Sequence, residues 1–220
     1  MSTEPTFDEF LYQITQVLLP AWQLRSIDAH EPVQSASLPA PWQLLGCGNY
    51  AGVVCHPDFP DWIVKRYAPG RPGLAEEAEV YRKLGQHSAF SSCLHIGPDY
   101  LILRRIWGRT FWRCCIEGEL ITPRAVEDID LAIDWARQRG LYPHDVHAKN
   151  VMQYAGRGFI VDISDFYKAE PCDHWQDFKR AYRWFYRPVL GRWPRPIPEW
   201  AMNAIRRSYR RLRRLLGRRK

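Results

Sequence analysis

The sequence predicts an α+β protein in which a small lobe rich in β-strands precedes a reduced helical lobe. Over residues 42–67, short apolar runs of strand length follow one another, and a helical pattern with several glutamates comes next. After residue 108, the apolar residues recur mainly at helical spacing. With 220 residues, 46% of them hydrophobic, the chain is long enough to bury a core in one large domain or two small lobes.

A helix and a linker precede the first lobe. Residues 7–19 predict an amphipathic helix, because apolar side chains recur there at helical spacing: Phe7, Phe10, Leu11, Ile14, Val17 and Leu18. Residues 28–41 hold several Pro, Ser and Ala residues and predict a linker. Strands of the lobe itself are predicted at about 42–47, 52–56 and 62–67, and again at Tyr100–Arg104.

The second lobe is predicted to begin after a hinge at Gly108. Thr122 can cap a helix that Gly140 ends, and the rest of this lobe is predicted to be helical. The predicted organisation therefore has four parts: an N-terminal helix and linker at 1–41, an N-lobe at 42–108, a helical C-lobe at 109–203 and a basic tail at 204–220.

Three polar residues follow the helix that Gly140 ends. Asp145 and Asn150 are separated by four residues, and Asp162 follows an apolar run. This is the D-x-x-x-x-N spacing, followed by an apolar strand and an acid, of a catalytic loop and metal-binding strand in phosphoryl transfer. An acid and an amide occur at this spacing by chance in many chains, so the interpretation depends on further motifs in the correct order.

Two such motifs lie upstream. Gly46 and Gly48 precede Tyr50 and Val53 in a pattern suited to a loop whose backbone amides approach phosphate oxygens. Ala51 stands where such phosphate-covering loops usually have a third glycine. Taken alone, a simple hairpin that contains glycines explains this segment equally well. An apolar strand then ends in Lys65. The helix that follows matches the pattern E-x-x-I-L-x-x-L, whose leading glutamate faces such a lysine. Glu77 fits this leading position best, and Glu76 and Glu79 are close competitors.

Taken in chain order over residues 46–164, these motifs resemble the protein-kinase-like superfamily. The resemblance implies a two-lobe fold, a small β-rich N-lobe over a reduced helical C-lobe, with ATP in the cleft. It also implies the role of each matching residue. Gly46, Gly48 and Val53 would cover the nucleotide, Lys65 would hold its phosphates and Glu77 would orient Lys65. Asp145 would accept the proton of the attacking hydroxyl, and Asn150 and Asp162 would ligate Mg²⁺.

The chain departs from regulated protein kinases in three places. Pro143 and His144 precede the catalytic aspartate, so the arginine that receives a phosphorylated activation loop is missing. His147 makes the loop similar to that of aminoglycoside and choline kinases, where it would lie near the transferred phosphate; a structural histidine that holds the loop is equally compatible. Only a short connection follows, from Ser164 to Asp173. Regulation by phosphorylation of an activation loop is therefore not expected.

The substrate stays open at this point. The size and the arginine-rich tail are similar to RIO kinases and to the minimal kinase of the KEOPS complex, whereas the catalytic loop resembles antibiotic and lipopolysaccharide-core sugar kinases. The first hypothesis is an atypical Ser/Thr-type protein kinase that uses ATP and Mg²⁺. The second is a small-molecule or sugar kinase. The third is a pseudokinase or ATPase scaffold that binds a polyanionic partner.

Charge is distributed unevenly along the chain. Residues 179–220 contain 15 Lys or Arg and a single acid, whereas residues 1–178 contain 16 basic and 23 acidic residues. Within the tail an apolar stripe at helical spacing is surrounded by arginines: Ile205, Tyr209, Leu212 and Leu216. The stripe could pack on the body of the protein, bind an anionic membrane surface or accompany nucleic-acid binding.

The remaining composition favours a cytoplasmic protein, and peripheral attachment at the inner membrane surface is the alternative that the basic tail leaves open. No run approaches the 18 apolar residues of a membrane span, and the acidic N-terminus lacks the pattern of a signal peptide. The six cysteines form no C-x-x-C pair and no zinc-like cluster, so free thiols are expected.

Overall fold

The computed structural model describes residues 5–28, 31–191 and 193–217, without the side chains of residues 210 and 212–217. The chain forms two compact units. The first unit comprises residues 1–106, 134–144 and 163–170, and the second comprises residues 107–133, 145–162 and 171–220. Both units contain helices and β-strands, which confirms the predicted α+β fold class.

The N-terminal segment of the first unit is part of that unit's core. Helix α1 starts at a capping box in which Thr6 and Glu9 each accept a hydrogen bond from the other's backbone N–H. Further along the segment, Phe10, Ile14 and Leu18 are fully buried. The elements of the segment are α1 (Phe7–Tyr12), a π-helical stretch (Gln13–Leu18), α2 (Leu19–Ala21), β1 (Gln23–Arg25) and β2 (Gln34–Ala36).

The predicted linker at 28–41 is wrong for residues 33–36. Strand β2 pairs antiparallel with β1, and Val33 is buried with Leu24 in the same apolar cluster as Phe10. Proline and serine masked this because they are common in linkers, although a single apolar residue such as Val33 suffices to hold a short strand. Residues 29 and 30 of the predicted linker lie outside the described residues.

A five-stranded antiparallel sheet forms the centre of the first unit. From one edge to the other, its strands pair in the order β3, β4, β5, β7, β6. Helix α3 lies in the chain between β5 and β6. The bounds are β3 (Gln43–Cys47), β4 (Ala51–His56), β5 (Phe59–Tyr67), α3 (Leu74–Leu84), β6 (Cys93–Ile96) and β7 (Tyr100–Arg104).

The two faces of this sheet differ because successive side chains of a strand point to opposite sides. Val54, Val64 and Ile102 are fully buried and pack with Phe10 of the N-terminal segment. The residues next to Val64 and Val54 in the chain, among them Lys65, face the other side. The N-terminal helical segment therefore covers one face, and Lys65 lies on the other face together with Val53 and Leu101, its partners in the register.

The second unit combines helices with a small sheet. Gly108 has φ +129°, and a Cβ there would lie 2.2 Å from the carbonyl oxygen of Gln153, so the position requires glycine. The elements are β8 (Arg109–Thr110), α4 (Phe111–Glu117), α5 (Pro123–Gln138), β9 (Val151–Tyr154), β10 (Arg157–Ile160), α6 (His174–Ala181), a π-helical stretch (Tyr182–Leu190) and α7 (Glu199–Gly217). The end of α5, from Asp134, belongs to the first unit.

Helix α5 begins as predicted, with the Thr122 hydroxyl accepting a hydrogen bond from the backbone N–H of Ala125. The expectation that the rest of this part is helical is wrong, because β8, β9 and β10 form an antiparallel sheet. Ala155 and Gly156 have positive φ and make the turn between β9 and β10, and this turn fits a hairpin better than a helix.

The tail is helical, and the two members of its predicted apolar stripe whose side chains are described differ in their contacts. Tyr209 donates a hydrogen bond to Asp177 at 2.7 Å, whereas Ile205 is 60% exposed. The side chains of Leu212 and Leu216 lie outside the described residues. No helix in the described part of the chain is both long and apolar enough to cross a membrane.

Candidate active site

The residues predicted to contact the nucleotide lie in one row across three strands. Gly46 on β3 is the register partner of Val53 on β4, and Val53 is the partner of Lys65 on β5. Because directly paired residues of an antiparallel sheet project from the same face, all three lie on one face. It is the face opposite to the one that packs on the N-terminal helical segment.

The glycines at the start of this row have space around them. A Cβ on Gly46 would meet no described atom within 4 Å, and a Cβ on Gly48 would meet only the carbonyl oxygen of Ala51 at 3.9 Å. Gly52 differs, because its Cβ would come within 2.9 Å of the Trp22 ring. Packing thus explains the glycine at 52. At positions 46 and 48 the open space fits the close approach of a ligand to the backbone.

Lys65 forms a buried ion pair with Glu77 of helix α3. The Nζ atom lies 2.9 Å from Oε1 and 2.7 Å from Oε2, the Glu77 side chain is fully buried, and Lys65 is 9% exposed. Tyr67 donates a hydrogen bond to Oε2 of the same carboxylate. The carboxylate therefore has a charged and a neutral donor, which a buried charge needs to offset its lost hydration.

The structure selects among the three glutamates of α3. Glu79 pairs with Arg82 and Lys83 along its own helix, whereas Glu77 pairs with Lys65. The helical phase explains this choice: Val80, Tyr81 and Leu84, three, four and seven residues after Glu77, are also buried, so Glu77 lies on the inner face of the helix.

In the second unit, hydrogen bonds within the predicted catalytic loop hold its conformation. Asp145 has φ +57°, in the left-handed region that residues other than glycine seldom adopt. The Asn150 side chain donates to the carbonyl oxygen of Asp145 at 3.1 Å, and the Asn150 N–H donates to the carbonyl oxygen of His147 at 2.8 Å. Strained backbone is common at functional sites, where surrounding contacts maintain it.

The hairpin β9–β10 brings the two predicted metal ligands to the same end of the sheet. Asn150 directly precedes β9, Asp162 follows β10 by two residues, and Val161 donates from its N–H to the Asn150 carbonyl oxygen at 3.0 Å. Because the Asn150 side-chain nitrogen is engaged with Asp145, the amide oxygen is the atom that would bind a cation. An amide oxygen and a carboxylate suit Mg²⁺.

These two ligands would need others to complete a magnesium site. In the described part of the chain, no group of three or more His, Cys, Asp or Glu side chains is arranged to hold a metal ion. Mg²⁺ commonly binds to one or two protein oxygens together with nucleotide phosphates and water. The donor set therefore fits a cation that arrives with a nucleotide.

His147 lies beside Asp145 as a neutral side chain. Its Nε2 is 3.7 Å from Asp145 Oδ2, and its Nδ1 accepts a hydrogen bond from the Lys149 N–H at 3.3 Å. Burial lowers the pKa of His147 below its ordinary value, although the Asp145 charge acts in the opposite direction. With Nδ1 accepting, the ring proton resides on Nε2, which faces the carboxylate.

Sequence analysis missed His174, the closest charged partner of Asp145. Its Nδ1 lies 3.0 Å from Asp145 Oδ1. Hydrogen bonds with Asp145 and Cys172 raise the pKa of His174 to about 9, so the imidazole is cationic at neutral pH. Burial would raise the pKa of Asp145, but the hydrogen bond from His174 and the positive charge of that imidazole hold it below its usual value. No signal in the sequence links positions 145 and 174.

Cys172 completes this cluster in the second unit. Its sulfur accepts a hydrogen bond from the Asp145 N–H at 3.3 Å. Burial alone would raise the pKa of the thiol, but hydrogen bonds from His174 and Asp145 bring it below its usual range. All six cysteines lie among the described residues and are free thiols, as expected.

Comparison with known proteins gives one curated relative. The Bacillus subtilis (strain 168) protein named "Putative serine/threonine-protein kinase YrzF" is 27% identical over 136 residues, which cover 61% of this chain and 62% of that protein. The chain thus matches less than two thirds of the relative's length. No protein-family model matches the sequence.

Solved structures give a weaker likeness. A single mutant of the Mycobacterium tuberculosis PknI kinase domain has a TM-score of 0.41 and 20% identity, covering 60% of this chain and 62% of that one. A double mutant of the same domain has a TM-score of 0.41 and 21% identity, covering 60% and 63%. Scores this low support no conclusion about function. The sequence similarity to the Bacillus subtilis protein and the motifs in kinase order support the protein-kinase-like superfamily for this chain.

Proposed function

We propose that this protein is an ATP-dependent phosphotransferase of the protein-kinase-like fold that transfers the γ-phosphate of ATP to a hydroxyl group. The Lys65–Glu77 ion pair carries the proposal. Burial of an ion pair costs hydration that its own attraction often does not offset, so stability alone does not explain the fully buried carboxylate on α3 that holds a lysine on the row of Gly46 and Val53. Binding of nucleotide phosphates by a fixed cation would explain it.

In the proposed reaction, each residue has one role. Lys65 would bind the phosphates and Glu77 would keep its ammonium group in place. Asp145 would accept the proton of the attacking hydroxyl as the new P–O bond forms and the bond to the β-phosphate breaks, releasing ADP. His147 and His174 would keep the Asp145 carboxylate ionised and oriented.

Asn150 and Asp162 would hold the magnesium ion. When bound, Mg²⁺ neutralises charge on the phosphates during transfer. The side-chain hydrogen bond of Asn150 to the Asp145 carbonyl couples the metal ligand to the catalytic loop. A shift of Asn150 would therefore also move the base.

For the acceptor, we propose a Ser or Thr hydroxyl of a protein as the first candidate, in line with the name of the Bacillus subtilis relative. A sugar or another small molecule is the second candidate. It is favoured by His147, which lies 3.7 Å from the base and follows it by two residues, as in small-molecule kinases. On either candidate the enzyme acts in the cytoplasm, where ATP is available.

A transfer screen with γ-labelled ATP tests the proposal. Purified full-length protein is incubated with whole-cell lysate, with a panel of sugars and with RNA, each in the presence of Mg²⁺. We expect label on one acceptor class from the wild type and about 10²–10⁴-fold less from Asp145→Asn. Asp58→Asn, a substitution at an exposed aspartate of the first unit, is the matched control and should transfer normally. Equal labelling by wild type and Asp145→Asn would contradict the proposal.

A further inference from the structure

An unusual number of large apolar side chains are exposed near the C-terminal end of the described chain. Six of them lie between residues 184 and 205 and are 60–75% exposed: Trp184, Phe185, Val189, Trp193, Trp200 and Ile205. Single exposed apolar residues are normal in soluble proteins, but six of this size in 22 residues form a concentration that indicates an interaction surface.

The exposure follows from the way in which the π-helical stretch is attached. Tyr182 and Tyr186 are four residues apart and stack with ring centroids 5.4 Å apart. The Tyr182 hydroxyl donates to the Ile121 carbonyl oxygen, and the Tyr186 hydroxyl accepts from the Ile121 N–H. The two tyrosines thus occupy the inner side of the helix. Trp184 and Phe185, between them in sequence, are turned away from the body of the unit.

Contacts on either side of Trp200 fix the rest of this region. Ile197 donates from its N–H to the Cys115 carbonyl oxygen at 2.9 Å, and Met202 is buried. The Tyr209 hydroxyl on α7 donates a hydrogen bond to Asp177 on α6. The exposed side chains are therefore held on a folded part of the second unit and do not belong to a loose tail.

The charge of the same region is strongly positive. Residues 179–220 carry 15 basic residues and one acid, Glu199. Exposed arginines alternate with the exposed apolar residues along the chain: Arg183, Arg187, Arg195, Arg207 and Arg211. We define the six exposed apolar residues and these five arginines as the aromatic–arginine surface.

We propose that the aromatic–arginine surface docks the protein on an anionic phospholipid membrane. Tryptophan and phenylalanine favour the boundary between headgroups and acyl chains, and arginines beside them are attracted to anionic headgroups. The proposed attachment is peripheral, through exposed side chains of the second unit. Nucleic-acid binding would account for the arginines and the tryptophans. It would not account for the exposed Val189 and Ile205, because aliphatic side chains gain little from stacking on bases.

Vesicle binding by the full-length protein tests this proposal. Sedimentation is measured with vesicles of phosphatidylglycerol and phosphatidylcholine and with vesicles of phosphatidylcholine alone. We expect at least tenfold tighter binding to the anionic vesicles and a steep loss of binding with added salt. Brominated acyl chains should quench tryptophan fluorescence of the wild type, since insertion brings the rings next to the lipid tails.

Two double variants separate the apolar and the charged contribution. Trp184→Ser with Phe185→Ser should weaken vesicle binding about tenfold, and Arg183→Gln with Arg187→Gln should weaken it and reduce its salt dependence. The control replaces two other exposed apolar residues, Ile27→Ser with Leu131→Ser, which are 71% and 57% exposed; this variant should bind like the wild type. All variants change exposed side chains, and thermal unfolding verifies that they fold.

Three results would overturn the proposal. The first is equal binding to both vesicle types, and the second is absence of quenching by brominated lipid. The third is RNA that binds the protein more tightly than anionic vesicles do, displaces it from them, and binds the Trp184→Ser, Phe185→Ser variant as well as the wild type. Because every measurement is of binding, none of these results depends on whether the protein transfers phosphate.

Discussion

The Lys65–Glu77 pair and the Asp145 cluster each stabilise a charged carboxylate, but they do so in opposite ways. Glu77 is fully buried and relies on one cation and one hydroxyl at short distance. Asp145 has a side chain that is 36% exposed and is surrounded by two histidines, a thiol and a loop held in a left-handed conformation. The first arrangement holds a charge rigidly, and the second adjusts the pKa of a group that would accept a proton in the proposed reaction.

The largest effect should come from the metal ligand near the Asp145 cluster. Asp162→Asn keeps the shape of the side chain but removes the charge that would hold Mg²⁺, so turnover should fall by at least about 10²-fold. Steady-state ATP consumption measures this, and circular dichroism should show an unchanged fold. ATP consumption near the wild-type rate would exclude Asp162 from the metal site.

The buried pair should respond in stability as well as in activity. Lys65→Met leaves the Glu77 carboxylate buried without its cation, which should lower the free energy of unfolding by about 3–5 kcal/mol. The double variant Lys65→Met with Glu77→Gln removes the unpaired charge. It should regain most of the lost free energy of unfolding, but it should not regain activity. Denaturant unfolding of the two variants measures the difference. If the double variant is no more stable than Lys65→Met, burial of the charge is not the cause.

A smaller effect is expected for the positioning residue that faces Asp145. His174→Asn removes the cationic partner at 3.0 Å and should lower turnover about tenfold, since a charge-assisted hydrogen bond contributes about 1.5 kcal/mol. His87→Asn, in the first unit, provides a histidine control. Unchanged turnover in His174→Asn would mean that the pair serves folding alone.

The smallest effect is a pH dependence of stability. The pKa of His174 in the folded protein, about 9, lies above its ordinary value of 6.5, so its contribution is fully present below pH 6.5 and lost as pH rises through 9. At the acid end, protonation of Asp145, whose pKa is lowered, removes the partner. The melting temperature of wild type should therefore exceed that of His174→Asn by a few degrees near pH 6, and the two should converge by pH 10. A constant difference from pH 6 to pH 10 would contradict this account.

The same two regions show what the sequence could predict. Lys65 and Glu77 are 12 residues apart, and each has a local signature, an apolar strand that ends in lysine and a helix with a buried phase. The row of Gly46, Val53 and Lys65 follows from strand alternation once the strands are paired. The match to the kinase-like helix pattern favoured Glu77 but left Glu76 and Glu79 as competitors, because the phase of the helix became known only from its contact with the sheet.

The Asp145 cluster could be predicted only in part. The spacing of Asp145, Asn150 and Asp162 is local, and their placement at one end of a hairpin agrees with it. His174 lies 29 residues from Asp145 and carries no motif, so only tertiary structure could join them. The strands of the linker and the hairpin β9–β10 were missed for a related reason: short strands owe their stability to partners that a local pattern does not contain.

Nucleotide binding by Lys65→Met and Asp145→Asn tests the central claim most directly, because the claim divides holding the nucleotide from proton transfer between these two regions. Calorimetric titration with ATP and Mg²⁺ should show wild-type affinity for Asp145→Asn, although its phosphate transfer should be about 10²–10⁴-fold lower, and clearly weakened affinity for Lys65→Met. Native ATP affinity in Lys65→Met, or phosphate transfer by Asp145→Asn at the wild-type rate, would contradict the account.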